Sequence, residues 1–187
     1  MIPLRRRREG LTDYRKRRRF LQSRTPRIVC RISNRYISSA VVRVGDRGDT
    51  TIISATSKEL VKFGWRYGLA SVPASYLTGC LLAKKAASLN LDKVVLDIGL
   101  YTPTRGNRLF ALAKGCSDSG LKVSFDGSVA PSEERIRGEH LVKLSELQRG
   151  GNVFSRIKAG GADMKSVPDD FKALVDKIKG SEVSKSV

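Results

Sequence analysis

The sequence predicts an α/β protein whose mixed sheet starts as an antiparallel meander and continues through β-α-β-α units, with helices packed on it. Two flanking pieces complete the expectation, a basic N-terminal arm and a helical C-terminal extension. Three observations carry this. Residues 27–55 hold three short runs rich in β-branched residues, separated by turn chemistry. Residues 56–125 alternate helical periodicity with compact apolar runs, and strands separated by helices fold as crossover units. Basic residues crowd the first 25 positions, which therefore stay out of any core.

Taken in order, the arm comes first. It spans residues 1–25 and carries Arg5, Arg6, Arg7, Arg8, Arg15, Lys16, Arg17, Arg18, Arg19 and Arg24 against only Glu9 and Asp13. Like charges this dense repel one another. The arm alone is expected to be disordered or partly helical, with one or two turns over residues 13–21 forming on binding. Pro26 ends it. Arg27-Ile-Val-Cys-Arg-Ile32 reads as the first strand, Ser33-Asn34-Arg35 as a turn, residues 36–44 as the second strand and residues 50–55 as the third. Gly45-Asp-Arg-Gly-Asp49 sets two glycines between two β runs, a hairpin signal.

Helices follow. Thr56 and Glu59 have capping-box spacing for a short helix through Phe63. Pro73 suits the first position of a longer helix to about Leu89, with Tyr76, Leu77, Cys80, Leu81 and Ala87 on its inner stripe. Residues 94–97 are a compact apolar run, expected as a buried strand, and residues 98–106 a loop. Asn107 caps a helix to Ser119 that Gly120 stops, and residues 121–125 form a further strand. Ser132 caps a helix continuing towards Leu147, with Glu133 and Glu134 in its first turn. Gly150-Gly151 and Gly160-Gly161 mark breaks. Asp169 caps a last helix in which Phe171, Leu174, Val175 and Ile178 keep the i, i+3, i+4, i+7 spacing. Residues 181–187 are expected to fray. The expected organisation is an arm (1–25), an α/β domain (26–148) and an extension with one helix (149–187).

Composition bounds the function. The chain has 187 residues and a formal charge of +18, from 36 Lys and Arg against 18 Asp and Glu. That length allows one domain with extensions, and the charge calls for a compensating anion. Nucleic acid is the commonest such anion for a basic protein, with an anionic membrane second. No apolar run is long enough to span a bilayer, and no apolar h-region follows the basic N-terminus. Cys30, Cys80 and Cys116 are far apart without CxxC spacing, so neither a zinc site nor a disulfide framework is expected. They read as small buried hydrophobes in a reducing cytoplasm.

Four features bear on chemistry. The arm suits phosphate neutralisation by guanidinium forks, and its blander alternative is a solubilising tail. Arg27 and Arg31 share one strand face, beside Asn34, Arg35 and Tyr36 at the turn. Guanidinium planes and a tyrosine ring can stack on unpaired bases, and Asn can read base edges, whereas the alternative is a solvated face. Residues 97–108 follow a buried strand and lead into a helix, where Thr102, Thr104, Arg105, Asn107 and Arg108 offer donors for phosphate or ribose. Asp97-Ile-Gly99 is also similar to the metal or phosphate strand of ribonuclease-H-like and sugar-kinase-like enzymes. That chemistry needs further carboxylates, and only Asp126 stands at the end of the neighbouring strand. His140 is the single histidine; with no nucleophile elbow in the sequence it supports no Ser/His/Asp set, and one imidazole makes no metal site. Trp65 and Tyr67 allow either base stacking or a core anchor. The expectation is therefore no catalytic residue, no metal, no cofactor, no small-molecule substrate and no membrane partner. A carboxylate–metal nuclease would lose activity with Asp97→Asn. A chromatin-type protein would prefer duplex DNA.

Several stretches resemble one family in order along the chain: Thr12-Asp-Tyr-Arg15, Pro26-Arg27 with Arg31-Ile-Ser-Asn-Arg35, Gly64-Trp65, Pro73-Ala-Ser-Tyr-Leu-Thr-Gly79, Leu96-Asp-Ile-Gly-Leu100 with Pro103, and Arg137-Gly138 with His140. The family is large-subunit ribosomal protein eighteen of archaeal type, related to eukaryotic large-subunit protein five. The likeness covers about residues 12–140, and nothing beyond residue 147 is recognisable. Arg105-Gly106 is more basic than the family pattern. The resemblance implies a mixed sheet with basic extensions and binding to 5S rRNA, which such proteins help place against 23S-type rRNA in the central protuberance beside other ribosomal proteins. It also implies that RNA-facing segments include the arm with Tyr14, the turn from Arg31 to Tyr36, the loop from Thr102 to Arg108, and Arg137 with His140.

Overall fold

Alternation along the first strand decides the architecture. In β1 (Arg27–Ile32), Ile28 and Cys30 are fully buried, whereas Arg27, Val29 and Arg31 point to the other side of the sheet. The computed structural model describes residues 3–45, 48–146, 154, 157 and 161–180. β1 pairs antiparallel with β2 (Ile37–Gly45), which pairs antiparallel with β3 (Gly48–Thr56) through a register shift at Val41/Val42. On its other edge β1 runs parallel to β4 (Lys93–Asp97), and β4 runs parallel to β5 (Lys122–Ser124). The order is β3-β2-β1-β4-β5, a five-stranded mixed sheet. The predicted class holds, and the meander and the crossover units meet at β1.

Eight helices are present among the described residues. They are α1 (Arg5–Arg8), α2 (Tyr14–Ser23), α3 (Leu60–Phe63), α4 (Val72–Ala87), α5 (Arg108–Asp118), α6 (Glu133–Arg137), α7 (Glu139–Glu146) and α8 (Val167–Gly180). α4 supplies the centre of the core through Ala74, Leu77, Leu81 and Leu82, with Leu109 and Leu112 of α5 beside it. Burying such side chains is the main driving force, at about 1.5–3 kcal/mol each. α8 joins the same core through Phe171, Leu174 and Ile178. Two polar clamps hold it there. The Tyr67 hydroxyl donates to Asp170 Oδ2 at 2.7 Å, and Lys84 Nζ donates to the carbonyls of Ile178 and Lys179 at 2.6 and 2.9 Å. A lysine donating to the carbonyls of a helix's last turn also meets the negative end of the helix dipole.

Several boundaries differ from expectation. Ser71 caps α4 by accepting from Ala74 N, which makes Pro73 the second helical residue rather than the first. The helix expected to run on towards Leu147 breaks at Gly138, which has φ 86°. A Cβ there would lie 2.7 Å from Val167 Cγ1, so the close approach of α8 as well as the backbone demands glycine. Asp169 does not cap the last helix but sits in its first turn, because α8 begins at Val167 after a 3-10 turn, Met164–Ser166. The arm also departs. α2 is a ten-residue helix, started by Asp13, whose side chain accepts from the backbone of Arg15 and Lys16, and ended by left-handed Arg24. No described helix is long and apolar enough to cross a membrane. Leu147, the breaks at Gly150-Gly151 and Gly160, and residues 181–187 lie outside the described residues.

Candidate nucleic-acid interface

The sheet face opposite the main helices carries the arm. α2 lies across β1, with the Phe20 ring 6.0 Å from the Arg27 guanidinium carbon. Asp49 at the start of β3 ties the two together. Its Oδ2 is 2.6 Å from Arg27 and 3.1 Å from Arg17 of α2. Arg27 is only 3% exposed, so this arginine, expected beside Arg31 on an RNA-facing strand, is instead an anchor beneath the arm. Asp13 is held below its ordinary carboxylate value, first by the hydrogen bond from the Lys16 backbone. On the remaining surface of the arm Arg15, Lys16, Arg18, Arg19 and Arg24 are exposed, Tyr14 is half-buried, and Arg5, Arg6, Arg7 and Arg8 are all exposed. Arg5 pairs with Glu9 at 2.8 Å, and Arg6 reaches Thr12 at 3.0 Å.

A second cluster forms at the end of β1. Ser33 Oγ donates to the Tyr36 carbonyl at 2.8 Å and accepts from Tyr36 N at 2.9 Å, which closes the turn and leaves Asn34 and Arg35 exposed at its tip. Lys58 Nζ stands 4.3 Å from the centre of the Tyr36 ring. The loop after β4 comes to the same edge because Tyr101 hydrogen-bonds both backbone groups of Ile32. Its hydroxyl donates to the carbonyl at 2.9 Å and accepts from the amide at 3.1 Å. Asp97 Oδ1 accepts from Gly99 N at 2.9 Å, and left-handed Gly99 lets the Arg31 guanidinium lie against the loop backbone. Arg31 Nη1 also donates to the Cys30 carbonyl at 2.6 Å.

Tyr101 thus brings the start of this loop beside Arg31 and the turn with Asn34, Arg35 and Tyr36; Thr102, Thr104 and Arg105 are exposed along the loop, whose far end is held by Gly106 N donating to the Val129 carbonyl at 2.9 Å. Asn107 and Arg108 are engaged in holding this loop. Asn107 caps α5 through Leu109 N, and Arg108 donates to the Ala70 carbonyl at 2.9 Å. The Asp97 carboxylate is part of a local turn, and among the described residues no three His, Cys, Asp or Glu side chains gather as metal ligands.

Arg137 and His140 are not brought to this edge. Arg137 pairs with Glu133 at 3.0 Å and lines a hollow of about 350 Å³ between α4, α5, α6 and α8. His140 Nδ1 is buried without a hydrogen-bond partner among the described residues, and its pKa is lowered, first by burial and then by Arg135. Trp65 and Tyr67 are core residues, edge to face with centroids 5.0 Å apart. The three cysteines are free and buried, and burial pushes the Cys30 thiol up to about 12. Reading the sequence alone missed Asp49, Lys58 and Tyr101. Each acts on a partner that is remote in sequence, so no local pattern marks it.

Comparison with known proteins bears on what this surface meets. Residues 2–94 match the family described as ribosomal large subunit proteins 60S L5 and 50S L18. The large ribosomal subunit protein uL18 of Korarchaeum cryptofilum is 42% identical, with 95% of this chain and 93% of that protein covered. Its counterpart in Caldivirga maquilingensis is 41% identical, covering 95% and 89%, and that of Haloferax volcanii 37%, covering 97% and 96%. Such coverage extends past residue 147, where no family motif is legible in this sequence.

Proposed function

Because the chain belongs to the family of large-subunit ribosomal proteins 60S L5 and 50S L18, we propose that it binds 5S rRNA and helps attach it to 23S-type rRNA in the central protuberance. Membership makes it a structural protein of the ribosome, not an enzyme. The observation that supports the finer reading is the Tyr101 clasp on Ile32, which sets the start of the loop carrying the exposed Thr102, Thr104 and Arg105 beside the basic, aromatic Ser33–Tyr36 turn. Unpaired bases stack on such rings and guanidinium planes, and exposed hydroxyl, amide and guanidinium donors suit phosphate, ribose and base edges. We assign residues 1–25 to phosphate contacts, residues 26–148 to recognition of 5S rRNA, and residues 149–187 to an extension. Contacts expected of Arg137 and His140 would fall on the helical layer. Neighbouring large-subunit proteins complete the partner set, and the cytoplasmic ribosome is the site of action.

Competition between 5S rRNA, a scrambled RNA of equal length and duplex DNA tests this. The protein should prefer 5S rRNA, and Arg35→Ala should cost about 1–3 kcal/mol on 5S rRNA with a smaller loss on the scrambled RNA. Equal losses on both would remove Arg35 from the specific contacts. A preference for duplex DNA would overturn the reading.

A further inference from the structure

We propose that the cleft between the arm and the outer face of the sheet seats one unpaired ribonucleotide of the bound rRNA, its base against the apolar wall and its phosphate on the cationic rim. This rests on the RNA-binding reading above and adds a specific receptor site to it. The cleft encloses about 470 Å³, within the roughly 300–1,000 Å³ usual for small-ligand sites. Val29 of the sheet and Phe20 of the arm line it, together with Leu11, Leu100 and Tyr101, which are 53%, 58% and 36% exposed. Large apolar side chains left open to water around one hollow, in so charged a protein, mark a surface made to be covered.

Charge decides the class of occupant. The three carboxylates at the cleft are already engaged: Asp13 caps α2, Asp97 holds the Gly99 amide, and Asp49 holds Arg17 and Arg27. Lys16 and Arg31 also line it, and neither makes an ion pair among the described residues. Arg27 is almost wholly buried in the wall, and its Nε has no acceptor among the described residues. The cleft is therefore short of anionic acceptors. Inorganic phosphate would answer the charge but leave the apolar wall wet. A nucleotide answers both, and the Arg31 guanidinium, held by the Cys30 carbonyl and backed by Gly99, is pre-set as a planar surface for a base.

The test uses the full chain and a 5S rRNA transcript carrying 4-thiouridine. Irradiation should crosslink the RNA to peptides containing Val29 to Arg31 or Leu100 and Tyr101. Val29→Phe, which fills the cleft without altering charge, should weaken 5S rRNA binding about tenfold, as expected for one lost stacked base, with the salt slope unchanged. Retention of the native melting temperature shows that the variant has folded, and if it has not, the wild-type crosslinks decide alone. Free AMP and UMP, followed by amide shifts in the wild-type chain, separate a strand-borne from a free nucleotide. Crosslinks at the cleft with weak or no response to the free nucleotides support the proposal. Tight 5S rRNA binding with crosslinks elsewhere overturns the cleft and leaves the RNA reading standing, as does a strong response to free nucleotides without cleft crosslinks. Absence of 5S rRNA binding overturns the RNA reading and the cleft with it.

Discussion

Arg27 opens β1 and Arg35 stands in the turn that follows it, yet only one is free to meet a ligand. Arg35 is exposed at the tip, whereas Arg27 lies under α2 with its charge held by Asp49. Removing Asp49 would leave a buried guanidinium without its carboxylate, the costly half of a buried pair. His140 shows burial acting on a neutral group. With its Nδ1 buried and unpartnered among the described residues, and Arg135 nearby, its pKa lies below the ordinary 6.5. Below 6.5, then, the unfolded chain takes up the proton more readily than the folded one. The stability from neutral His140 is complete above that value and is lost as pH falls through it towards the folded pKa. An NMR titration of the imidazole should give a midpoint below 6.5, and the fall in melting temperature over that range should shrink in His140→Phe. A midpoint at or above 6.5 would contradict this account.

Between elements, the tightest packing is the crossing of α4 and α5. Each helix contributes a Gly-Cys pair, Gly79-Cys80 and Gly115-Cys116. The Cys80 thiol donates to the Gly115 carbonyl at 3.5 Å, and the Cys116 thiol donates to the Gly79 carbonyl at 3.3 Å. A Cβ on Gly79 would collide with the Leu112 carbonyl, and one on Gly115 with that of Tyr76. Gly79→Ala or Gly115→Ala should therefore destabilise by about 1–3 kcal/mol or more, although alanine is the better helix former. At about 2–4 °C per kcal/mol for a domain of this size, calorimetry resolves the loss easily. An unchanged melting temperature would mean that the helices can separate freely. Both helices were legible from their caps and periodicity. Their crossing was not, because two glycines 36 positions apart show their purpose only when the backbones touch.

At the scale of the whole molecule, charge sets affinity and shape sets selectivity. If the interface neutralises about six phosphates, the log–log slope of RNA affinity against salt is roughly −4 to −5, a loss of several-hundred- to about a thousand-fold between 50 and 200 mM. Deleting residues 1–24 should flatten that slope and weaken scrambled RNA, and weaken 5S rRNA further by the loss of the cleft wall, as filter binding at several salt concentrations would show. A slope unchanged by the deletion would remove the arm from the electrostatic interface. The deletion also removes Arg17 and Phe20, so it uncovers the Arg27–Asp49 pair and opens the cleft. The arm is thus both a source of charge and one wall of the cleft.

The sequence by itself determined the mixed α/β class, the strands and most helix starts, and a basic charge suited to nucleic acid. These follow from periodicity, caps and composition, all of which are local. It could not decide which arginine is buried, where the loop after β4 docks, or that α8 belongs to the same core. Those outcomes rest on contacts such as Tyr101 with Ile32, 69 positions apart, and Tyr67 with Asp170, 103 apart. Such pairs exist only once the strand order and the helix crossing bring distant chain together. Local pattern fixes which side chains face inward, and the tertiary path fixes what they meet.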